Sequence, residues 1–361
     1  MTRVLEVMAM SSGGIGRHVA AVVGALDAPD LSLDIAAPPS IATPMPKAVL
    51  PLEIPHASNF AAGKGSRRAL RALVEEGRYD VVHAHGLRAS VTALGGSGGK
   101  PVVITLHNLI RPETSGRLRS ILYRRAETAA VRKADRVFAV SAEMATVLTQ
   151  RIPSRADRIE LLPIGLGAPI VTRSAADVRH ELDVGERRLV LTVARLARQK
   201  ALDVLLKAMT EVPDAVLAIV GDGRLESELR ELASSLEIDD RVRFVGWREQ
   251  VGDYLRAADV FALSSTWEAR ALAVQEAILA ELPVVSTDVG GMPELITDRH
   301  SGLLVPPNEP KLMAAAINEL LDSPDVAKAY ARRAKAELTE GYSDAAMLDR
   351  VRSVYLELAG A

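Results

Sequence analysis

The 361-residue sequence contains no cysteine. That excludes disulfides and thiol catalysis and fits a reducing compartment. Aromatic residues make up only 3% of the chain, so any core must be built from Ala, Val, Leu and Ile. No long apolar run occurs. The N-terminal stretch MTRVLEVMAM breaks at Ser11, too short for a secretory signal or a membrane span, and a cytoplasmic protein is the expectation. No Asp-x-Asp pair occurs anywhere, so an obvious carboxylate site for a nucleotide-bound metal is missing. Fixed-period repeats and low-complexity segments are absent as well.

What remains is 48% hydrophobic and 25% charged, the composition of a soluble globular protein. The length predicts two domains rather than one core. The net charge of −2 hides an asymmetry: residues 1–165 carry +7 and residues 166–361 carry −9. A basic half could attract an anionic ligand or a membrane surface; ordinary solvated surface charge explains it equally well. No nucleic-acid partner is expected.

Short β-rich runs alternate with amphipathic ones. Arg3–Met8, VVHAH (81–85), PVVITLH (101–107) and RVFAVS (136–141) read as strands, with helices at 17–26, 64–77, 115–133 and 142–151. Pro163, Gly165, Gly167 and Pro169 cluster in LLPIGLGAPI (161–170), which reads as a linker. A second series follows, with strands LVLTVAR (189–195), AVLAIVGDG (215–223), VRFVG (242–246), VFALSS (260–265) and PVVSTDV (283–289) between helical stretches. The chain ends in helices near 309–321, 325–340 and 343–359. This pattern predicts two doubly wound α/β domains with parallel sheets, facing a cleft.

Ligands of such sheets bind beyond the carboxyl ends of the strands, where the unusual polar residues of this chain fall. Arg195 closes LVLTVAR and Lys200 follows five residues later; Asp222 follows AVLAIVG; Ser264, Ser265 and Glu268 follow VFAL; Asp288, Gly290 and Gly291 end PVVSTDVGG. Each alone could be a solvated loop residue. Together, two cations beside a helix N-terminus make a site for a diphosphate. If that helix starts near Ala271, Glu268 precedes it and Glu276 lies inside it, about 12 Å along the axis. A carboxylate at each end and cations over the middle suit a sugar nucleotide. In the first half, SSGGIGRHV sets Gly13, Gly14 and Gly16 between a strand and a helix, allowing close backbone approach to a ligand. It is a weak dinucleotide signal on its own, since Val19 takes the sixth position. His83 and His85 share a strand face and His107 ends its strand. They could hold a metal, but no cysteine or adjacent carboxylate cluster supports that, and hydrogen bonds to hydroxyls in the cleft are the favoured role.

These segments resemble the retaining glycosyltransferases of family 4, with the GT-B architecture, nearly end to end. SSGGIGRHV resembles the family's glycine loop, DVVHAH its second-strand motif, TLHN its cleft histidine and VARLARQKALDVLLKA its Arg-x4-Lys segment; IVGDG and FVGW follow in family order. EARALAVQEAILAELPVVSTDVGGMPELITDRHSGLLVPP resembles its Glu-x7-Glu signature, and this block is highly specific. The resemblance implies an acceptor-binding domain over 1–168 and a nucleotide-sugar domain over 169–342. Residues 343–361 would cross back to the first domain.

It further implies that Arg195 and Lys200 hold the diphosphate, Glu268 faces the donor sugar, His107 contacts that sugar, and Glu276 binds the ribose. Gly13, Gly14 and Gly16 would approach the phosphates. Trp247 and Arg248 would lie near the base, with Asp222, Ala271 and Leu272 also lining the nucleotide site. His83, His85 and Arg17 would serve the acceptor. The donor would be a UDP- or GDP-linked sugar, and the acceptor a hydroxyl on a lipid-linked, inositol or saccharide molecule. No metal or other cofactor would be needed. Competing readings are a nucleotide-sugar epimerase and a non-catalytic sugar-nucleotide binder.

The chain departs from the family's usual Glu-Gly-Phe-Gly at Glu268-Ala269-Arg270-Ala271. Arg270 then either helps bind a donor phosphate or acidic group, or points to solvent or pairs with a local acid. Ala201 after Lys200 also replaces a common glycine. The basic, partly amphipathic helices at 64–78 and 117–133 offer peripheral contact with an anionic membrane at the inner face, or are ordinary surface helices.

Overall fold

The computed structural model describes residues 1–9, 14–41, 44–55, 60–110, 117–164, 167–342 and 344–360. Two compact units emerge, Met1–Gly165 together with Ser343–Ala361, and Leu166–Tyr342.

The first unit is a seven-stranded sheet of order β3-β2-β1-β4-β5-β6-β7, every adjacent pair parallel. Its strands are β1 (Thr2–Met8), β2 (Leu31–Ala37), β3 (Val49–Pro51), β4 (Val81–His85), β5 (Val102–Leu106), β6 (Arg136–Ala139) and β7 (Ile159–Leu161). Helices α1 (Gly14–Leu26), α2 (Phe60–Gly77), α3 (Leu87–Gly96), α4 (Arg117–Lys133) and α5 (Ala142–Arg151) connect them. The central strands are buried on both faces, as parallel strands covered by crossover helices must be. Val4 and Met8 of β1, Leu31, Leu33 and Ile35 of β2, and Val19, Val22 and Val23 of α1 share one core. The strand order reverses between β1 and β4, which makes their carboxyl ends the expected place for a ligand.

The second unit repeats the plan with six parallel strands of order β10-β9-β8-β11-β12-β13. They are β8 (Arg188–Val193), β9 (Ala215–Val220), β10 (Val242–Gly246), β11 (Val260–Leu263), β12 (Val284–Thr287) and β13 (Leu303–Val305). The helices are α6 (Ala175–Glu181), α7 (Leu202–Met209), α8 (Glu226–Ser235), α9 (Gly252–Ala257), α10 (Leu272–Leu279), α11 (Pro310–Asp322) and α12 (Pro324–Gly341). Alternation along each strand sorts side chains onto the two faces. Val190, Leu217, Ile219, Val260 and Val285 pack beneath α7, α8 and α11. Leu191, Val216, Ala218, Phe261 and Val284 pack beneath α6, α9 and α10. The segment entering this unit is tied down by Asp253, which accepts from the backbone N–H groups of Thr172 at 2.6 Å and Arg173 at 3.0 Å.

The final helix, α13 (Asp344–Ala359), returns to the first unit. Met347, Val351, Val354 and Tyr355 form an apolar stripe at helical spacing and join the core of β1, β2 and α1. Arg350 grips Glu160 with two bonds of 2.5 and 2.7 Å, and Arg352 and Arg136 pair with Asp30 and Glu357. Among the described residues, no helix is long and apolar enough to cross a membrane.

The structure adds elements that the sequence pattern did not announce. β3, β7 and β13 are three-residue edge strands, too short to show alternation. Gly14 and Gly16 do not sit in a turn: α1 already begins at Gly14.

Candidate functional site

In the second unit the strand order reverses between β8 and β11, and the polar residues gather at their carboxyl ends. The chain leaves β8 through Arg195, which is exposed, and reaches Lys200 just before α7. The Lys200 Nζ lies 2.5 Å from Oε1 of Glu268, and Ser265 Oγ donates to the same oxygen at 2.6 Å. Small hydroxyl side chains lace the loops together. Ser264 Oγ donates to the carbonyls of Lys200 and Ala201 at 3.0 and 2.9 Å, and Thr287 Oγ1 donates to the Ser265 carbonyl at 2.6 Å. The Gly291 N–H donates to the Glu268 carbonyl at 3.0 Å. At Gly290, with φ +58°, a Cβ would sit 1.7 Å from that same carbonyl oxygen, so only glycine fits. Both carboxyl-end loops therefore converge on Glu268.

Ala271 precedes α10 and Leu272 opens it, so the helix's first N–H groups lie just beyond Glu268. Glu276 sits in the helix, 3% exposed. Asp222 follows β9, exposed, and Trp247 and Arg248 follow β10, the indole 44% exposed. Arg248 donates to the Tyr254 hydroxyl at 3.1 Å.

Of the two readings of Arg270, a donor contact or a local partner, the side chain's contacts match the local one. Its side chain is turned inward, the guanidinium 4.0 Å over the Tyr342 ring and NH1 4.0 Å from Glu294. Burial lowers its pKa, opposed by Tyr342 and Glu294. It is held by a local aromatic and a local acid. Ala201, in place of the common glycine, adopts a left-handed conformation with φ 44° and ψ 44°.

In the first unit, the reversal between β1 and β4 holds a buried polar network. Register pairs Glu6 with His83 and Met8 with His85 across the two strands, and His85 with Thr105 of β5. His85 Nε2 lies 2.7 Å from Glu6 Oε2, and the Tyr355 hydroxyl of α13 donates to Glu6 Oε1 at 2.5 Å. His83 Nδ1 is 2.5 Å from the Tyr355 hydroxyl and its Nε2 is 2.7 Å from Thr105 Oγ1. His85 Nδ1 reaches His107 Nε2 at 3.3 Å. Burial alone would raise the Glu6 carboxyl, but the His83 and His85 imidazoles outweigh it and hold the pKa well below the carboxylate range. Burial pushes His85 down to about 4 and His107 well below its usual value, neighbouring imidazoles adding to both shifts.

This overturns the expected role of His83 and His85. All four of their ring nitrogens are engaged within the unit, which leaves none for an acceptor hydroxyl. It also supplies the carboxylate that the sequence reading lacked beside the histidines, Glu6. Ligand atoms of Glu6, His83 and His85 lie within 4.8 Å of one another, so these residues could hold a metal ion. Their contacts of 2.7 and 3.2 Å are at or under the roughly 3.3 Å that separates ligands around one tetrahedral zinc. The spacing suits shared protons better than an ion.

His107 follows β5 and keeps 8% of its surface exposed. His18 of α1 packs edge-on to His85 and His107, with ring centroids 5.6 and 5.7 Å away. Among the described residues, both of its nitrogens are buried without a hydrogen-bond partner, and burial, with the imidazoles of His85 and His83, takes its pKa down to about 3. Gly14 is the first residue of α1, Gly16 is buried in its first turn, and Arg17 is half-buried there. Gly13 lies outside the described residues. Glu6, His18, Thr105 and Tyr355 were missed by sequence reasoning. Glu6 had a signal, a lone carboxylate in the otherwise apolar run VLEVM.

Comparison with known proteins extends this. Residues 175–337 match the family model described as Glycosyl transferases group 1, and residues 12–166 match that described as Glycosyltransferase Family 4. The chain is 32% identical over 308 residues to the D-inositol 3-phosphate glycosyltransferase of Mycobacteroides abscessus, covering 79% of this chain and 67% of that one. It is 24% identical over 306 residues to the UDP-Gal:alpha-D-GlcNAc-diphosphoundecaprenol alpha-1,3-galactosyltransferase of Escherichia coli, covering 80% of this chain and 78% of that one. In fold it is similar to Anabaena HepE, solved in complex with UDP-glucose, with a TM-score of 0.84 at 20% identity over 98% of this chain and 99% of that one. The chain belongs to the family 4 glycosyltransferases of the GT-B fold.

Proposed function

We propose that the protein is a retaining, metal-independent glycosyltransferase that moves a hexosyl group from a nucleoside-diphosphate sugar to an acceptor hydroxyl. The observation that carries the reading is the 2.5 Å pair of Lys200 and Glu268 at the reversal point of the second sheet, at the head of α10. It supplies a cation for a diphosphate and a carboxylate for sugar hydroxyls. Arg195 and the α10 N–H groups add to the positive field, and Glu276 is the residue for the ribose. His107 is the first unit's residue for a sugar hydroxyl.

In the reaction the bond from the anomeric carbon to the diphosphate oxygen breaks and a bond to the acceptor oxygen forms on the same face. The departing phosphate takes the acceptor proton, so no protein nucleophile is needed. The protein's task is electrostatic: Arg195, Lys200 and the helix N-terminus stabilise charge growing on the leaving diphosphate.

Uridine diphosphate is the favoured nucleotide, since the Escherichia coli relative is named for UDP-Gal and Anabaena HepE was solved with UDP-glucose; guanosine diphosphate is second. The acceptor is a lipid-linked, inositol or saccharide hydroxyl, the classes to which the relatives' names point. A thermal-shift screen of UDP, GDP and ADP selects the base, because a ligand that binds the folded state raises apparent stability. The anomeric coupling in the proton NMR spectrum of the first product tests the stereochemistry. An α-linked donor is expected to give an α-linked product, and a β product would overturn the retaining mechanism.

The first unit also carries features suited to an anionic membrane at the cytoplasmic face. On α4, Ile121 and Leu122 are 52% and 54% exposed beside exposed Arg124 and Arg125. On α2, Lys64, Arg67, Arg68 and Arg71 face solvent. Exposed apolar side chains flanked by cations suit an interfacial helix.

A further inference from the structure

The polarity of the buried network in the first unit follows from one group. Glu6 is 0% exposed, and its ionised carboxylate can only accept hydrogen bonds. The contact between His85 Nε2 and Glu6 at 2.7 Å therefore requires a proton on Nε2. A neutral imidazole carries one proton, so His85 Nδ1 is an acceptor. Its contact with His107 Nε2 at 3.3 Å then requires the His107 proton to sit on Nε2. His107 Nδ1 is left with a lone pair, and among the described residues nothing donates to it. The other arm agrees. The Tyr355 hydroxyl donates to Glu6 at 2.5 Å, His83 Nδ1–H donates to the Tyr355 oxygen at 2.5 Å, and Thr105 Oγ1 donates to His83 Nε2 at 2.7 Å. His83 Nδ1–H also lies 3.2 Å from Glu6 Oε2, an acceptor too, so both of its neighbours fit this assignment.

We propose that Glu6, acting through His85, is a positioning residue that fixes His107 as the Nε2–H tautomer and so presents Nδ1 as a hydrogen-bond acceptor. The group it selects is a substrate hydroxyl, which must donate. This rests on the reading of His107 as a sugar contact and deepens it: a sugar with an acceptor-only group at the contacted position is rejected. Tyr355 couples the returning helix α13 to the same carboxylate. The depressed pKa values of His85 and His107 keep both rings neutral at physiological pH, as the alternation of donor and acceptor requires.

The test uses full-length protein labelled with ¹⁵N-histidine, in wild-type form and as Glu6→Gln and Glu6→Asp. Long-range ¹⁵N–¹H spectra distinguish the tautomers without substrate. His107 is expected as Nε2–H in the wild type. In Glu6→Gln the amide can donate to His85 Nε2, and that reverses the chain so that His107 becomes Nδ1–H; Glu6→Asp restores the wild-type form. In parallel, each protein is assayed with UDP-sugars carrying fluorine in place of single hydroxyls. The wild type is expected to discriminate against one of them by about tenfold, the worth of one hydrogen bond. Glu6→Gln is expected to lose that discrimination. A wild-type His107 found as Nδ1–H overturns the proposal, even if Glu6→Gln fails to fold. So does a Glu6→Gln protein with unchanged tautomer and unchanged discrimination. A wild type that turns over no donor counts against the proposed function, while the tautomer spectrum still decides the relay.

Discussion

Lys200 and Glu268 hold one another at 2.5 Å, 68 residues apart in sequence, where two strand-end loops of the second unit meet. Glu268 is 5% exposed, and its other contact on the same oxygen is Ser265. Lys200→Ala leaves a buried carboxylate without its cation. The side chain of Lys200 is 19% exposed, so water softens the loss, and about 1–3 kcal/mol is expected rather than the full cost of breaking a buried pair. Turnover is expected to fall by about a hundredfold or more, as when a charge-stabilising donor is removed. Urea unfolding and steady-state kinetics on the same preparation check both numbers.

Arg270 is expected to matter for stability and not for the donor. Its guanidinium lies against Tyr342 and near Glu294, with its side chain fully buried. Arg270→Ala is expected to lose about 1–3 kcal/mol through lost packing and lost cation–π contact, with the donor KM within about twofold of wild type. A large rise in KM and no change in stability would return Arg270 to the donor site.

Stability is expected to fall with acid earlier than carboxylates alone dictate. His18 and His85 have folded pKa values of about 3 and about 4, below the ordinary 6.5. A depressed folded value means that the unfolded chain binds the proton more tightly. Stability is then full above the unfolded value and is lost as pH falls from 6.5 toward 4. Each imidazole contributes a slope of up to about 1.4 kcal/mol per pH unit in that window. Glu6, also depressed, adds its loss only below about 4.5. Denaturant midpoints between pH 7 and pH 5 check this; a flat profile would mean the imidazoles are not buried neutral. Because both nitrogens of His18 lack partners among the described residues, His18→Leu is expected to flatten the slope and raise stability at pH 6 by about 1 kcal/mol.

Membrane contact is expected to depend on the exposed faces of α2 and α4. The protein should pellet with vesicles containing anionic lipid at low salt and release as ionic strength rises. Ile121→Ser with Leu122→Ser should weaken pelleting, as should Arg124→Gln with Arg125→Gln. No pelleting at low salt would remove the proposal.

Much of this was legible in the sequence, because strand-end placement follows from alternation and chain order. Arg195, Lys200, Asp222, Glu268 and Glu276 sit at or just beyond strand ends or in α10 because each apolar strand ends where they begin. Other parts were hidden, β2 (Leu31–Ala37) and α3 (Leu87–Gly96) among them. The edge strands β3, β7 and β13 are too short for periodicity to show. Arg270 lies in a stretch where motif spacing says nothing of side-chain direction, and only packing against Tyr342, 72 residues on, turns it inward. His83 and His85 looked available because their partners are distant in sequence: Glu6 is 77 and 79 residues before them and Tyr355 is 272 residues beyond His83. Pattern could place them on one strand face, but register between β1 and β4 decided what they meet.

The central claim is tested most directly by nucleotide release. Purified protein is incubated with a panel of UDP- and GDP-linked sugars, with and without lipid-linked, inositol and saccharide acceptors, and liberated nucleoside diphosphate is measured. Acceptor-dependent release from one donor, without added metal and lost in Lys200→Ala and Glu276→Ala, is the expected result. Tight binding of UDP or GDP with no release under any acceptor would contradict it, and would make the protein a sugar-nucleotide binder that does not turn over.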